Sequence, residues 1–304
     1  MLKQKINKWL YEKTIHFMRK QAKVEAHTIE VDGYTIAYLE SKNSYKNTII
    51  FIHGCNGSKD DWLTLAKALN TQCHLILIDF LGAGDSSKDL TFDYSLRSQA
   101  SLLEMIIRQI TTQKDIHQYS LCGTSSGGAL AILLVNRLPI DKLILLNSLG
   151  MQVKESKIDI LAKEAGCVNA LPWLNIRTKN EMKEMMKISF YKPPKIPNFI
   201  LEYFLDKQSK DRELSTHKFS YFFDKEMNLV DDLTEDAKQI KQETLIIWGK
   251  EDNNINVASA YRADELIMHS TLKVYEECGH VIPIEQPNKV IKDITLFLNS
   301  SNKE

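Results

Sequence analysis

A serine set among glycines, Gly123-Thr124-Ser125-Ser126-Gly127, follows the apolar run Tyr119-Ser120-Leu121-Cys122 and precedes Gly128–Leu134. The order reads as strand, sharp turn and helix, with the Ser125 hydroxyl raised above the sheet edge at the apex. Gly123 and Gly127 let the two backbones pass closely and relieve crowding at a serine of positive φ. A serine hydroxyl is a poor nucleophile at neutral pH; it needs a base, and the base needs an orienting partner. Candidates for both stand just past apolar runs. Asp252 follows Thr244–Trp248 across a short turn, and His280 follows Leu272–Tyr275 across Glu277-Cys278-Gly279. Acting groups of open α/β sheets gather beyond the carboxyl ends of strands, so Ser125, Asp252 and His280 can meet there. Glu251, next to Asp252, is the second candidate for the acid. Among eight histidines, His280 alone sits on a glycine-bearing loop after the last strand.

Acyl transfer also builds negative charge on the substrate oxygen, and preoriented N–H donors must receive it. His53-Gly54-Cys55-Asn56-Gly57 follows the run Thr48–Ile52 and would carry a backbone amide over the serine turn. The expected donors are the N–H groups of Cys55 and Ser126. His53 reads as a structural hydrogen-bonding residue, and Cys55 has no companion histidine to make it a nucleophile.

The elements that must hold these groups are legible from periodicity. His27–Val31 and Tyr34–Leu39 flank Asp32-Gly33, a hairpin signal because both turn residues tolerate positive φ. The runs Thr48–Ile52, Leu75–Ile78, Tyr119–Cys122, Lys142–Leu146, Thr244–Trp248 and Leu272–Tyr275 are continuously apolar, as parallel strands covered on both faces must be. Helical stretches such as Trp62–Leu69, Leu96–Ile110 and Gly127–Arg137 separate them, which gives an α/β sheet with right-handed crossovers. From Asn147 to about Ile240 this rhythm stops, and the chain is rich in methionine and aromatics. Thr178-Lys179-Asn180-Glu181 is a capping-box pattern opening a helix through Tyr191, and Pro193, Pro194 and Pro197 impose a turn before Phe199–Leu205. The resulting division is an amphipathic segment at 1–26, an α/β core at 27–148 and 241–304, and a helical cap at 149–240.

Charge and composition remove other classes. Lys plus Arg equals Asp plus Glu at 39 each, so no basic stripe argues for nucleic acid. Five dispersed cysteines without a C-x-x-C pair make neither a zinc knuckle nor a dithiol motif, and fit reduced thiols in a cytoplasmic protein. No signal peptide or transmembrane span is expected. Residues 1–23 place Leu2, Ile6, Trp9, Leu10 and Phe17 at helical spacing among lysines. Such a helix either docks on the domain or lies on an anionic membrane surface.

Taken together, His53-Gly54, Asp79–Ser86, Gly123–Gly128, Trp248–Asp252 and Cys278-Gly279-His280 resemble the α/β-hydrolase superfamily, from about His27 to Leu298. The order Ser125, Asp252, His280 is that family's nucleophile–acid–base order. Lys59-Asp60-Asp61-Trp62 and the Asn180-Glu181-Met182 helix are similar to the monoacylglycerol-lipase-like and bacterial lipase/esterase branch. That resemblance implies an α/β-hydrolase fold with a mostly parallel sheet and cofactor-free hydrolysis of medium or long acyl esters. The same three groups could serve a thioester, amide or carbon–carbon bond, and a non-catalytic small-ligand binder is the alternative of another class. Cys55 stands where the branch commonly has an aromatic, which would reshape the acyl pocket. Met182, Met185 and Phe190, together with Met186, Phe199 and Phe204, are expected either to line an acyl tunnel or to pack the cap on the core.

Overall fold

The computed structural model describes residues 2–43, 45 and 47–300. Its strands are β1 (Val24–Val31), β2 (Tyr34–Ser41), β3 (Thr48–Ile52), β4 (His74–Ile78), β5 (Tyr119–Thr124), β6 (Ile140–Leu146), β7 (Glu243–Gly249) and β8 (Ser270–Tyr275). They form one sheet in the order β1-β2-β4-β3-β5-β6-β7-β8. The β1–β2 and β2–β4 pairs are antiparallel and every other pair is parallel. The helices are α1 (Leu2–Gln21), α2 (Leu63–Leu69), α3 (Leu96–Gln113), α4 (Ser126–Leu134), α5 (Lys157–Ala165), α6 (Lys179–Ser189), α7 (Asn198–Lys210), α8 (Arg212–Phe219), α9 (Thr234–Lys238), α10 (Ala258–Leu266), α11 (Ile282–Glu285) and α12 (Pro287–Asn299).

The central strands are apolar on both faces because both faces are covered. Along β3, Ile50 and Ile52 join the layer of α3 and α4, whereas Ile49 and Phe51 join the layer of α2 and α12. Each such side chain, removed wholly from water, contributes about 1.5–3 kcal/mol. The hairpin forms as its turn residues require, with Asp32 at φ 51° and Gly33 at φ 80°. The last strand, β8, alternates in exposure, as an edge strand does.

Between β6 and β7 the chain runs through α5 to α9, and the Thr178–Glu181 capping box opens α6 as the sequence indicates. That helix stops at Ser189, short of Tyr191. Phe190 is extended, and the N–H groups of Tyr191 and Lys192 turn instead to the Glu285 carboxylate at 2.8 and 3.2 Å. Lys192 precedes a proline and is disfavoured in a helix. The helix after the serine likewise ends at Leu134, before Arg137.

The amphipathic α1 docks with its polar side. Asn7 and Lys3 reach Glu202 on α7 at 2.8 and 2.9 Å, Tyr11 stacks on Tyr203 with centroids 3.9 Å apart, and Arg19 grips Asp60 with two bonds of 2.6 Å. Leu2, Ile6, Trp9 and Phe17 are left exposed. Among the described residues no helix is long and apolar enough to cross a membrane.

Candidate active site

Ser125 lies between β5 and α4 at φ 54° and ψ −125°, a conformation outside the ordinary regions for a side-chain-bearing residue. The strain persists because the surroundings over-determine it. Ser125 N–H donates to the Leu146 carbonyl at 3.0 Å, and the Ser125 carbonyl accepts from Gly128 and Leu149, each at 3.0 Å. A Cβ on Gly123 would run into the Gly127 carbonyl, and one on Gly127 would run into the carbonyls of Ile52 and His53. Both glycines are therefore fixed by close backbone approach.

Asp252 ends the turn after β7. Its Oδ1 accepts the N–H groups of Asn254 and Ile255 at 2.8 and 3.0 Å, and its Oδ2 pairs with His280 Nδ1 at 2.8 Å. The carboxylate side chain is wholly buried behind the imidazole. Glu251 turns elsewhere and accepts the Cys278 N–H at 2.9 Å. With Nδ1 engaged, Nε2 is the ring nitrogen that can take a proton from the cavity, which both His280 and Ser125 line.

The loop after β3 is set by His53. Its Nδ1 bonds the Gly54 carbonyl at 2.7 Å, and Gly57 N–H closes on the same oxygen at 3.0 Å. In a trans peptide the Cys55 N–H then points the opposite way. Complete burial pushes the His53 pKa down to about 4, so the ring is a neutral Nδ1–H donor. Ser126 opens α4, where a first-turn N–H has no intrahelical acceptor. Burial raises the Cys55 thiol pKa, keeping it from the thiolate form.

Three further groups hold this arrangement; the sequence reading quoted Lys59 as part of a motif without giving it a role, and passed over Asn147 and Lys218. Asn147, buried at φ 42° just past β6, accepts Gly249 N–H at 3.0 Å and donates to the carbonyls of Gly279 and His280 at 3.2 and 2.7 Å. An asparagine directly after an apolar strand was the available signal. Buried Lys59 joins Asp79 and Asp85 at 2.6 Å each beneath the loop. From α8, buried Lys218 donates to the carbonyls of Cys55 and Gly82 at 3.0 and 3.3 Å, with no carboxylate bonded to it among the described residues, and desolvation lowers its pKa. The α6 end also touches the site, since His280 N–H donates to the Ser189 carbonyl at 2.7 Å.

Ser125 and His280 open into a cavity of about 520 Å³, which Cys55 and Ser126 also line. Met182, Met185, Met186 and Phe190 form its wall on the α6 side. Phe199 and Phe204 do not reach it; Phe204 lies edge-on to Tyr11 on the outer side of α7. Trp173, Phe219, Phe222 and Phe223 take the place expected of them. Their contribution could not be read from spacing because they come from short turns and from the end of α8.

A strained serine between strand and helix, with an acid-bound histidine over the same cavity, defines the α/β-hydrolase class. The family model described as alpha/beta hydrolase fold matches residues 47–287, and the chain belongs to that family. Among its relatives, the chain is 26% identical over 299 residues to monoacylglycerol lipase ABHD6 of Mus musculus, covering 95% of this chain and 88% of that one. It is 27% identical over 292 residues to Lipase 1 of Psychrobacter immobilis, covering 94% and 88%. It is also similar to the crystal structure of a membrane phospholipase A described as a bacterial virulence factor. That match has a TM-score of 0.87 and 25% identity, over 97% of this chain and 92% of the other.

Proposed function

We propose that this protein is a carboxylic ester hydrolase acting on lipid-like esters, monoacylglycerols or other medium and long acyl esters, through an acyl-enzyme on Ser125. His280 Nε2 takes the Ser125 proton as Oγ attacks the ester carbonyl, then gives it to the departing alcohol. Asp252 holds the Nδ1–H tautomer and stabilises the imidazolium. The N–H groups of Cys55 and Ser126 receive the oxyanion. Water activated by His280 then releases the acid. The observation that carries the reading is the 2.8 Å Asp252–His280 bond, with its imidazole and Ser125 facing one largely apolar cavity.

The segment 149–240 acts as the lid, and Met182, Met185 and Phe190 contact the acyl chain. Lipid surfaces are the expected source of substrate. The outward stripe Leu2, Ile6, Trp9 and Phe17, set among Lys5, Lys8, Lys13 and Lys20, suits an anionic bilayer. The central test is a series of esters of rising acyl length, with fluorophosphonate labelling alongside. Labelling and turnover lost in Ser125→Ala are expected, and turnover kept by that variant overturns the mechanism. Co-sedimentation with anionic vesicles should fall in Trp9→Glu/Phe17→Glu; unchanged binding removes the surface role.

A further inference from the structure

His280 is followed almost at once by the short helix α11, and that helix carries Glu285. Val281, Pro283 and Ile284 line the cavity, whereas the Glu285 carboxylate turns away from it onto backbone. Its Oε1 accepts the Gly279 N–H at 2.9 Å, and its Oε2 accepts the N–H groups of Tyr191 and Lys192 at 2.8 and 3.2 Å. One carboxylate thus joins the residue before the histidine to the chain leaving α6. A second bond runs beside it, from His280 N–H to the Ser189 carbonyl at 2.7 Å. The two backbones touch: a Cβ on Gly279 would fall 2.7 Å from the Ser189 oxygen and 2.8 Å from the Tyr191 nitrogen.

The Gly279-His280 pair is therefore held from two sides. Asn147 bonds both of its carbonyls from the core, at 3.2 and 2.7 Å. Its two N–H groups point the other way, to Glu285 and to Ser189. Asp252 sets the tilt of the imidazole through Nδ1, but this peptide sets where the ring hangs. Rotating it would swing Nε2 out of reach of Ser125. Glu285 is half-buried, and its partners among the described residues are these three backbone N–H groups. Bonds from N–H to a charged carboxylate are about twice as strong as neutral ones, and two acceptor oxygens let one side chain serve both segments.

We propose that Glu285 is a positioning residue: its carboxylate ties the end of α6 to the Gly279-His280 peptide, so that the general base is aligned only while that end of the segment 149–240 is docked. The inference rests on the hydrolase reading above and adds a residue to it. Glu285 does not line the cavity, so it acts through backbone and not on the substrate. The methionine face of α6 can then yield to an acyl chain while the last residue of the helix stays fixed on the histidine loop. A glutamine at 285 keeps the length of the side chain but offers one acceptor. Its NH2 must face either the Gly279 N–H or those of Tyr191 and Lys192, and the side left without an acceptor comes loose.

The test is a double-mutant cycle of Glu285→Gln and Tyr191→Pro on a soluble ester, p-nitrophenyl butyrate. Proline removes the Tyr191 N–H, and the extended Phe190 before it suits a following proline. Glu285→Gln should lower kcat about 10²-fold and Tyr191→Pro about tenfold, each with KM within about threefold of wild type. The double variant should be no slower than Glu285→Gln alone, because both substitutions break one tie. Additive losses, or a loss in Glu285→Gln with none in Tyr191→Pro, would make Glu285 a local brace of the histidine loop and overturn the proposal. Hydrogen exchange reads the tie without turnover. In Glu285→Gln the amides of 189–192 and 279–280 should exchange faster together, and a change confined to one segment also overturns the proposal. Absent fluorophosphonate labelling of wild type sinks the hydrolase reading alone; unchanged exchange in Glu285→Gln sinks the tie alone.

Discussion

Two helices line the cavity, and they are built on opposite terms. All nine residues of α4 are buried, whereas none of the eleven in α6 is. Behind Ser125, backbone meets backbone at two glycines with no slack. On the α6 side, methionines line the cavity from a helix that has no buried residue. If the proposed function holds, the contrast divides the work: the reacting atoms are held by contacts that cannot relax, and the substrate's variable part meets a surface that can.

The largest effects belong to the α4 side. Ser125→Ala should keep the fold and lower turnover by at least about 10⁴-fold. Gly127→Ala should lose activity by another route, because the added methyl meets two backbone carbonyls. Overpacking of this kind costs about 1–3 kcal/mol or more, so thermal unfolding separates the two variants. A Gly127→Ala protein that melts like wild type would show the elbow to be compliant and dissolve the contrast.

Asn147 tests whether the rigid side extends to the histidine. Asn147→Ala leaves the Gly249 N–H and the carbonyls of Gly279 and His280 without their partner. Each buried group so orphaned costs about 1–3 kcal/mol, less where water enters. A drop in kcat of about 10²-fold with KM little changed is expected, since a misplaced base loses geometry rather than binding. A rise in KM alone would place Asn147 outside the catalytic frame.

Lys218 crosses between the two regions, from α8 to the Cys55 carbonyl. Its lowered pKa means that folding disfavours the charged form, so the ammonium costs stability at any pH below the folded-state pKa. Lys218→Met removes that cost but leaves two carbonyls unpaired. Melting should therefore move little, while kcat falls about tenfold through the loosened loop. Equal losses in melting temperature and activity would make Lys218 a packing residue only.

How far this contrast could be read in advance follows the same line. Strands covered on both faces and glycines at close backbone crossings leave periodic marks, so the sheet, the elbow and the order Ser125, Asp252, His280 stand in the sequence. Asn147 and Lys218 do not, and Lys59 stands only as part of a motif without its role, because a buried polar residue is explained by partners distant in the chain. The segment between β6 and β7 was legible only as lost rhythm. Its capping box marked the start of α6, but Glu285, about a hundred positions on, decides where the backbone leaves the helix.

Asp61 gives a smaller effect with a definite sign. Burial at the cavity wall raises its folded-state pKa to about 6, above the ordinary aspartate value of 3.8, so the folded protein holds that proton more tightly. Wild type should lose stability as pH rises from about 4 through 6, and Asp61→Asn should not. The melting-temperature gap between them should widen over that interval and stay constant above it. Access to the cavity keeps the gap small. A pH-independent gap would mean that the carboxyl is not perturbed by its surroundings.

The smallest change in stability is expected where the compliant wall is cut. Met182 and Met185 lie on a helix with no buried residue, so Met185→Ala leaves no closed void to destabilise the fold. The unfolding free energy should shift by less than about 1 kcal/mol. The cavity, however, gains the volume of the lost thioether, and turnover along an ester series should move its optimum toward longer acyl chains. A fixed optimum with lowered stability would reverse the assignment, making the methionines packing for the lid. A moved optimum with unchanged melting would separate the two walls in one experiment, since the glycine crossings that set α4 cannot be altered without disturbing the fold.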